Sequence, residues 1–233
     1  MKIRNRSVPK LAMMLALLVT GTVLAQPLSA DEVLERVTAQ AESLEDASFL
    51  LTGELIDPDG TTINLEVAIE VIPGEEVARA TFYQPDALAD NVIVFEDDTV
   101  KNYLFLTNQV TLFDANDPDA LGGLLTGQAG EDEGFEFTLD LDALFAGWEA
   151  SLESYEGGVY RLRMDNNSEG AAIDHAFVNV PEESWIPASV TLVAPEDRVL
   201  AELFVEEFER DQGLSAEDVT YLPEDAEVID ERN

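Results

Sequence analysis

The chain has 233 residues, 49 of them Asp or Glu against 12 Lys or Arg, for a formal charge of −37 with no cysteine. A field of that sign excludes binding to nucleic acid or to anionic lipid headgroups. It does not signal disorder, because 46% of the residues are hydrophobic and fall in regular patterns, and a chain of about 200 residues can bury a sufficient core without disulfides.

Lys2, Arg4, Arg6 and Lys10 precede an uncharged run from Leu11 to Ala25 that ends in Val23-Leu24-Ala25. This reads as a secretory signal cleaved after Ala25, since the run is shorter than the roughly 20 residues a membrane-spanning helix takes. Residues 1–25 are expected to be removed and residues 26–233 to form one exported domain. All 49 acidic residues but only 8 of the 12 basic ones lie beyond residue 25, leaving −41. Gln26 rather than cysteine follows the leader, so no lipid anchor is expected on the exported chain. The acidity itself reads as solvation, with adaptation to salt as one source.

Ser29-Ala-Asp-Glu32 is a capping box. Val33, Leu34, Val37, Ala41 and Leu44 then recur at helical spacing, which predicts one amphipathic helix with an apolar face that needs a sheet to lie on. Ser48 to Ile56 is the first predicted strand, and Asp57-Pro-Asp-Gly60 reads as a turn. It lacks the spaced ligands of a calcium loop. From Asn64 to Val71, the residues Leu65, Val67, Ile69 and Val71 alternate with polar or small ones, so one face is expected to be dry. Strands at Arg79–Tyr83 and Asn91–Phe95 and across Val100–Phe113 follow, each bounded by turn residues. Their apolar residues Phe82, Ile93, Phe95, Leu104 and Leu106 extend the same wall.

Past Phe113, Leu121, Leu124 and Leu125 read as a short amphipathic turn between polar stretches, either a plug or a lid. Phe135–Leu139 alternates, a helix is predicted near Leu141 to Leu152, and strands follow at Gly158–Met164, His175–Val180, Ala188–Val193 and Val199–Phe208. Many short strands with regular turns and one firm helix argue a sandwich or barrel rather than alternating strands and helices.

The inventory of reactive groups is poor. His175 is the single histidine and Lys101 the single lysine beyond the leader, so most nucleophile and base pairings are unavailable. Asp174-His175 is half of a triad without a serine elbow, and a histidine satisfied by its neighbour at a strand start is the expected reading. Carboxylate pairs and metal sets carry no signal in so acidic a chain. No catalytic residue, metal or cofactor is expected. Arg79 is the only arginine between Arg36 and Arg161. It reads either as a surface ion pair or as a latch whose guanidinium ties carbonyls of a lid.

The order of these pieces resembles the LolA family of periplasmic lipoprotein carriers. The signal, the capped helix, Ser48-Phe49, the Arg79-Ala-Thr-Phe-Tyr-Gln-Pro85 strand, the Tyr103–Leu112 hairpin and a closing segment from Val219 to Ile229 carry the resemblance. It implies a mainly antiparallel, open β-barrel of about 10–11 strands whose concave apolar face is covered by an N-terminal helix and short helices. Acyl chains of lipoproteins or other lipids would lie against Leu65, Val67, Ile69, Val71, Phe82, Ile93, Phe95, Leu104 and Leu106. The lid would be Val33, Val37, Leu121, Leu124 and Leu125, with Arg79 as its latch. The resemblance further implies a monomeric periplasmic protein that meets an inner-membrane releasing complex and an outer-membrane acceptor. The family strand carries Arg followed by Trp where this chain has Arg79-Ala80. Two alternatives stay open: an envelope-stress sensor built on the same fold, and a plain domain with a filled core.

Overall fold

Ser29 opens the first helix as its spacing predicts. Its hydroxyl accepts from the Glu32 amide at 3.3 Å, and the Glu32 carboxylate accepts from the Ser29 amide at 2.8 Å. This cap fixes the start of α1, Ala30–Glu42. The fold is that of a computed structural model, which describes residues 27–57, 59–115, 141–168 and 170–232. The leader, the turn at Leu121, Leu124 and Leu125, and the predicted strand at Phe135–Leu139 lie outside the described residues.

Strands β1 (Ala47–Ile56), β2 (Thr62–Ile72), β3 (Val77–Gln84), β4 (Val92–Glu96), β5 (Thr99–Leu104) and β6 (Gln109–Asp114) form a meander. A short α2 (Leu141–Leu144) precedes β7 (Glu149–Glu156), β8 (Val159–Asp165), β9 (His175–Pro181), β10 (Ser189–Ala194) and β11 (Arg198–Arg210). The chain ends in α3 (Ala216–Thr220) and β12 (Glu227–Asp230). All twelve strands join one sheet in the order β12-β6-β5-β4-β3-β2-β1-β11-β10-β9-β8-β7. Every neighbouring pair is antiparallel except β12 with β6. Among the described residues the edge strands β12 and β7 do not pair, so the sheet is open.

The described residues alone hold twelve strands, against the 10–11 expected for the chain. The helix predicted to run to Leu152 stops at Leu144, and Glu149–Glu156 is a strand instead. Ala150 and Leu152 face Met164 and Leu162 across β8, so packing on a neighbouring strand overrides the helical propensity of Leu, Ala and Glu. β12 is only four residues long and pairs in parallel, which leaves too little alternation to read.

Residues directly opposite in antiparallel strands project to the same side. One such row crosses most of the sheet: Leu152, Leu162, Val178, Val190, Leu203, Gly53 and Leu65. This inner face also carries α1, because Val33 and Val37 are fully buried with Leu162 and Val178. Gly53 sits in the row where β1 meets β11. Its φ is +150°, and a Cβ there would lie 2.0 Å from the Glu202 carbonyl oxygen. Only glycine permits that approach.

The outer face is covered on β2–β6 by the C-terminal segment. Val219 packs with Ile72 and Val77, and Leu222 and Ala226 pack on Val92, Val94, Tyr103 and Val110. At the start of this segment the buried Asp46 carboxylate accepts three backbone amides, from Gln212 at 2.8 Å, Gly213 at 2.8 Å and Leu214 at 3.1 Å. The end of β11 is thereby tied to the start of β1.

Candidate ligand-binding face

Period-2 alternation in β2 and β3 turns Leu65, Val67, Ile69, Val71, Ala78, Ala80 and Phe82 to the inner face. Ile93 and Phe95 of β4 and Val100 of β5 continue it. All are buried in one cluster with Leu44, Ala47 and Phe49. Partly buried Leu203, Val205 and Phe208 of β11 join it from the far side, and Phe208 stacks on Phe49 at 6.2 Å between ring centroids. Seven of the nine apolar residues named from the sequence thus come together.

The other two do not. Leu104 shares the face by register with Ile93 through Asn102 but is only partly buried. Leu106 is 87% exposed in the turn between β5 and β6, because the pattern that placed it runs past the end of the strand. Phe49 and the β11 residues escaped notice although Ala47, Phe49 and Leu51 alternate in β1. Their contribution depends on the β1–β11 pairing, which no local pattern encodes.

The cover also needs correcting. Val33 and Val37 do not lie over Leu65 to Phe95. They pack with Leu141, Phe145, Tyr160, Leu162, Met164 and Val178 on the β8–β9 part of the inner face, and only Leu44, just past the helix end, reaches the β1–β5 wall. Helical periodicity gives the apolar stripe but not the strands it meets.

Arg79, unlike Val33 and Val37, is on the outer face, between Ala78 and Ala80 of the inner wall. Its Nη1 donates to the carbonyls of Tyr221 at 2.6 Å and Val219 at 3.4 Å, and its Nε to the Thr81 hydroxyl at 3.2 Å. The guanidinium does tie backbone carbonyls together, but those of α3 and its exit rather than of a lid over the apolar wall. Glu70, its cross-strand neighbour, adds an ion pair at 3.8 Å.

Polar chemistry lies away from this wall. His175 is buried at the start of β9, its Nδ1 2.9 Å from Asp174 Oδ2, with its ring edge-on to Phe177 at 5.1 Å. On the same outer side a cleft of about 360 Å³ is lined by Arg161, Arg163, Phe177 and Thr191, with Asp197 and Glu202. Arg161 lies 4.2 Å over the Phe177 ring, and Arg163 pairs with Asp165 at 2.8 Å. A second cleft of about 360 Å³ sits at the β7–β8 turn against Pro181 to Glu183. Among the described residues, no group of three or more Asp, Glu or His side chains is placed to hold a metal, and no buried side-chain polar atom lacks a hydrogen-bond partner. The inner wall is hydrocarbon, and its side chains from Leu65 to Phe95 are packed against one another at 2–8% exposure.

The architecture is a single open sheet, mainly antiparallel, with a helix on its inner face, which is the arrangement that the sequence resemblance implies. No family model and no curated protein sequence matches the chain. An uncharacterized conserved protein from Thermus thermophilus is similar in structure, with a TM-score of 0.60 at 20% identity over 86% of this chain and 98% of that one. MucB has a TM-score of 0.50 at 12% identity, over 86% of this chain and 65% of that one. The LolA superfamily protein NE2245 from Nitrosomonas europaea has a TM-score of 0.43 at 12% identity, over 84% of this chain and 99% of that one. At such identities the likeness is one of fold.

Proposed function

We propose that the chain is a carrier that shelters acyl chains of lipoproteins or other lipids against the inner wall of β1–β5 and moves them across the periplasm toward the outer membrane. The supporting observation is the wall itself: seven named apolar side chains clustered on one side of a sheet that does not close. An acyl chain of about fifteen CH₂ groups costs on the order of 12 kcal/mol in water. A wall of this kind lowers that cost, and the open edge leaves a route in and out. Affinity is then the difference between covering the wall with the protein's own side chains and covering it with cargo. Catalysis, a metal and a cofactor have no part in this reading.

Mass spectrometry of lipid co-purified from the native periplasm tests it. Bound acylated species are the expected result, and protein that is reproducibly lipid-free would sink the proposal. A carrier also hands its lipid to acceptor vesicles, whereas a lipid-responsive regulator retains it, so a transfer assay separates the two roles.

A further inference from the structure

The chain between Lys101 and Asp114 holds no charged residue, and its middle is the single helical turn Phe105–Thr107 that joins β5 to β6. Phe105 is 51% exposed and Leu106 87%. Tyr83, 48% exposed at the end of β3, belongs to the same rim. Asn91 bridges the end of β3 and the turn: its carbonyl accepts from the amide of Phe82, the neighbour of Tyr83, at 3.0 Å and its Oδ1 from the Phe105 amide at 3.0 Å.

This exposure is not fraying. The Asn108 amide donates to the Phe105 carbonyl at 3.2 Å, and Asn108 Nδ2 donates to the Asp225 carbonyl at 3.3 Å. The Tyr103 hydroxyl donates to Asn108 Oδ1 at 3.2 Å, and the Glu227 amide to the Asn108 carbonyl at 2.9 Å. Two large apolar side chains are therefore held out in water by a fixed turn, at a cost the fold does nothing to offset.

We propose that the Phe105-Leu106 tip inserts into the surface of a zwitterionic lipid bilayer, with Tyr83 at headgroup level. Two side chains on one turn fall far short of the roughly 1,200–2,000 Å² that a stable protein interface buries. They do suit insertion at the boundary of headgroups and acyl chains, where tyrosine also partitions. Charge selects the lipid: with −37 overall and the exposed acids Asp225, whose carbonyl accepts from Asn108, and Asp90, whose amide donates to the Phe82 carbonyl, an anionic surface repels the molecule while a neutral one does not. The proposal stands apart from the acyl-chain reading, because it concerns the outside of the molecule and needs no cargo.

The absence of cysteine allows a single environment-sensitive fluorophore at Leu106→Cys in the full chain, with Glu207→Cys on β11 as the control. With phosphatidylcholine vesicles the label at 106 is expected to brighten and shift to the blue while the one at 207 does not change. Mixing in phosphatidylglycerol should weaken the response at low salt, and added salt should restore it. In vesicle flotation of the chain from Gln26 onward, the double variant Phe105→Ser/Leu106→Ser should partition about tenfold less or worse. A silent label at 106, an equal response at 207, or undiminished flotation of the double variant overturns the proposal.

Discussion

At the scale of single residues, the positions that matter most are those where the backbone leaves no choice of side chain. Gly53 faces the Glu202 carbonyl across the β1–β11 pair with room for no Cβ, at a φ of +150°. Gly53→Ala is expected to cost more than about 3 kcal/mol or to prevent folding, read as the urea midpoint. The control Gly60→Ala, at a turn where an added Cβ meets nothing within 4 Å, should be far milder despite its own positive φ. Arg79 makes a different kind of demand. Its side chain is mostly buried and donates to two carbonyls at the exit of α3. Arg79→Leu is expected to cost about 1–3 kcal/mol. Amide exchange should accelerate around residues 216–222 while lipid retention is unchanged. Altered lipid retention with normal exchange would give the arginine a part in the proposed carrier role.

At the scale of elements, α1 depends on its cap. The Ser29 amide and hydroxyl hold the Glu32 carboxyl below its ordinary value of 4.5, the backbone hydrogen bond being the larger cause. A carboxyl lowered in the folded state stabilises above its unfolded pKa, and that contribution is lost as pH falls through the folded value. Helix α1 should therefore loosen on acidification below about pH 4.5, and Glu32→Gln should flatten that part of the profile in circular dichroism. Ser29→Ala should cost about 1 kcal/mol at neutral pH. The Tyr155 hydroxyl donates to Glu182 at 2.6 Å, which pushes its pKa up to about 12. Its clamp between β7 and the turn after β9 is present below the ordinary tyrosine pKa and lost as pH rises through about 12. This cap, the β2 alternation and the strand at His175 were legible in the sequence because each is a local pattern. Strand β7, the partners of Val33 and Val37, and the side of the sheet that Arg79 occupies were not. Each is decided by which distant strand lies next door, and a period of 2 or 3.6 names a face without naming its neighbour.

At the scale of the whole molecule, an excess of 37 negative charges pushes the folded state apart, and salt screens that repulsion. The melting temperature is expected to rise by several degrees between low salt and about 1 M NaCl, and a fall would show that specific ion pairs outweigh the general field. A dry face on β2 to β4 was readable from alternation, whereas the openness of the sheet was implied only by the resemblance, since the strand pattern alone fits a sandwich or a closed barrel equally well. The route of the C-terminal segment across the outer face was not readable, because its anchors are Asp46 and Arg79, residues far from it in sequence. The union of β1 with β11 joins positions about 150 residues apart, as in Thr52 opposite Phe204. Such a seam can form only when nearly the entire polypeptide is present, which predicts high contact order and slow, late assembly. Until then the β2–β5 meander stands with its oily side bare, so a chain still being synthesised has a window in which it is prone to aggregate, and fragments ending before residue 198 should aggregate rather than fold.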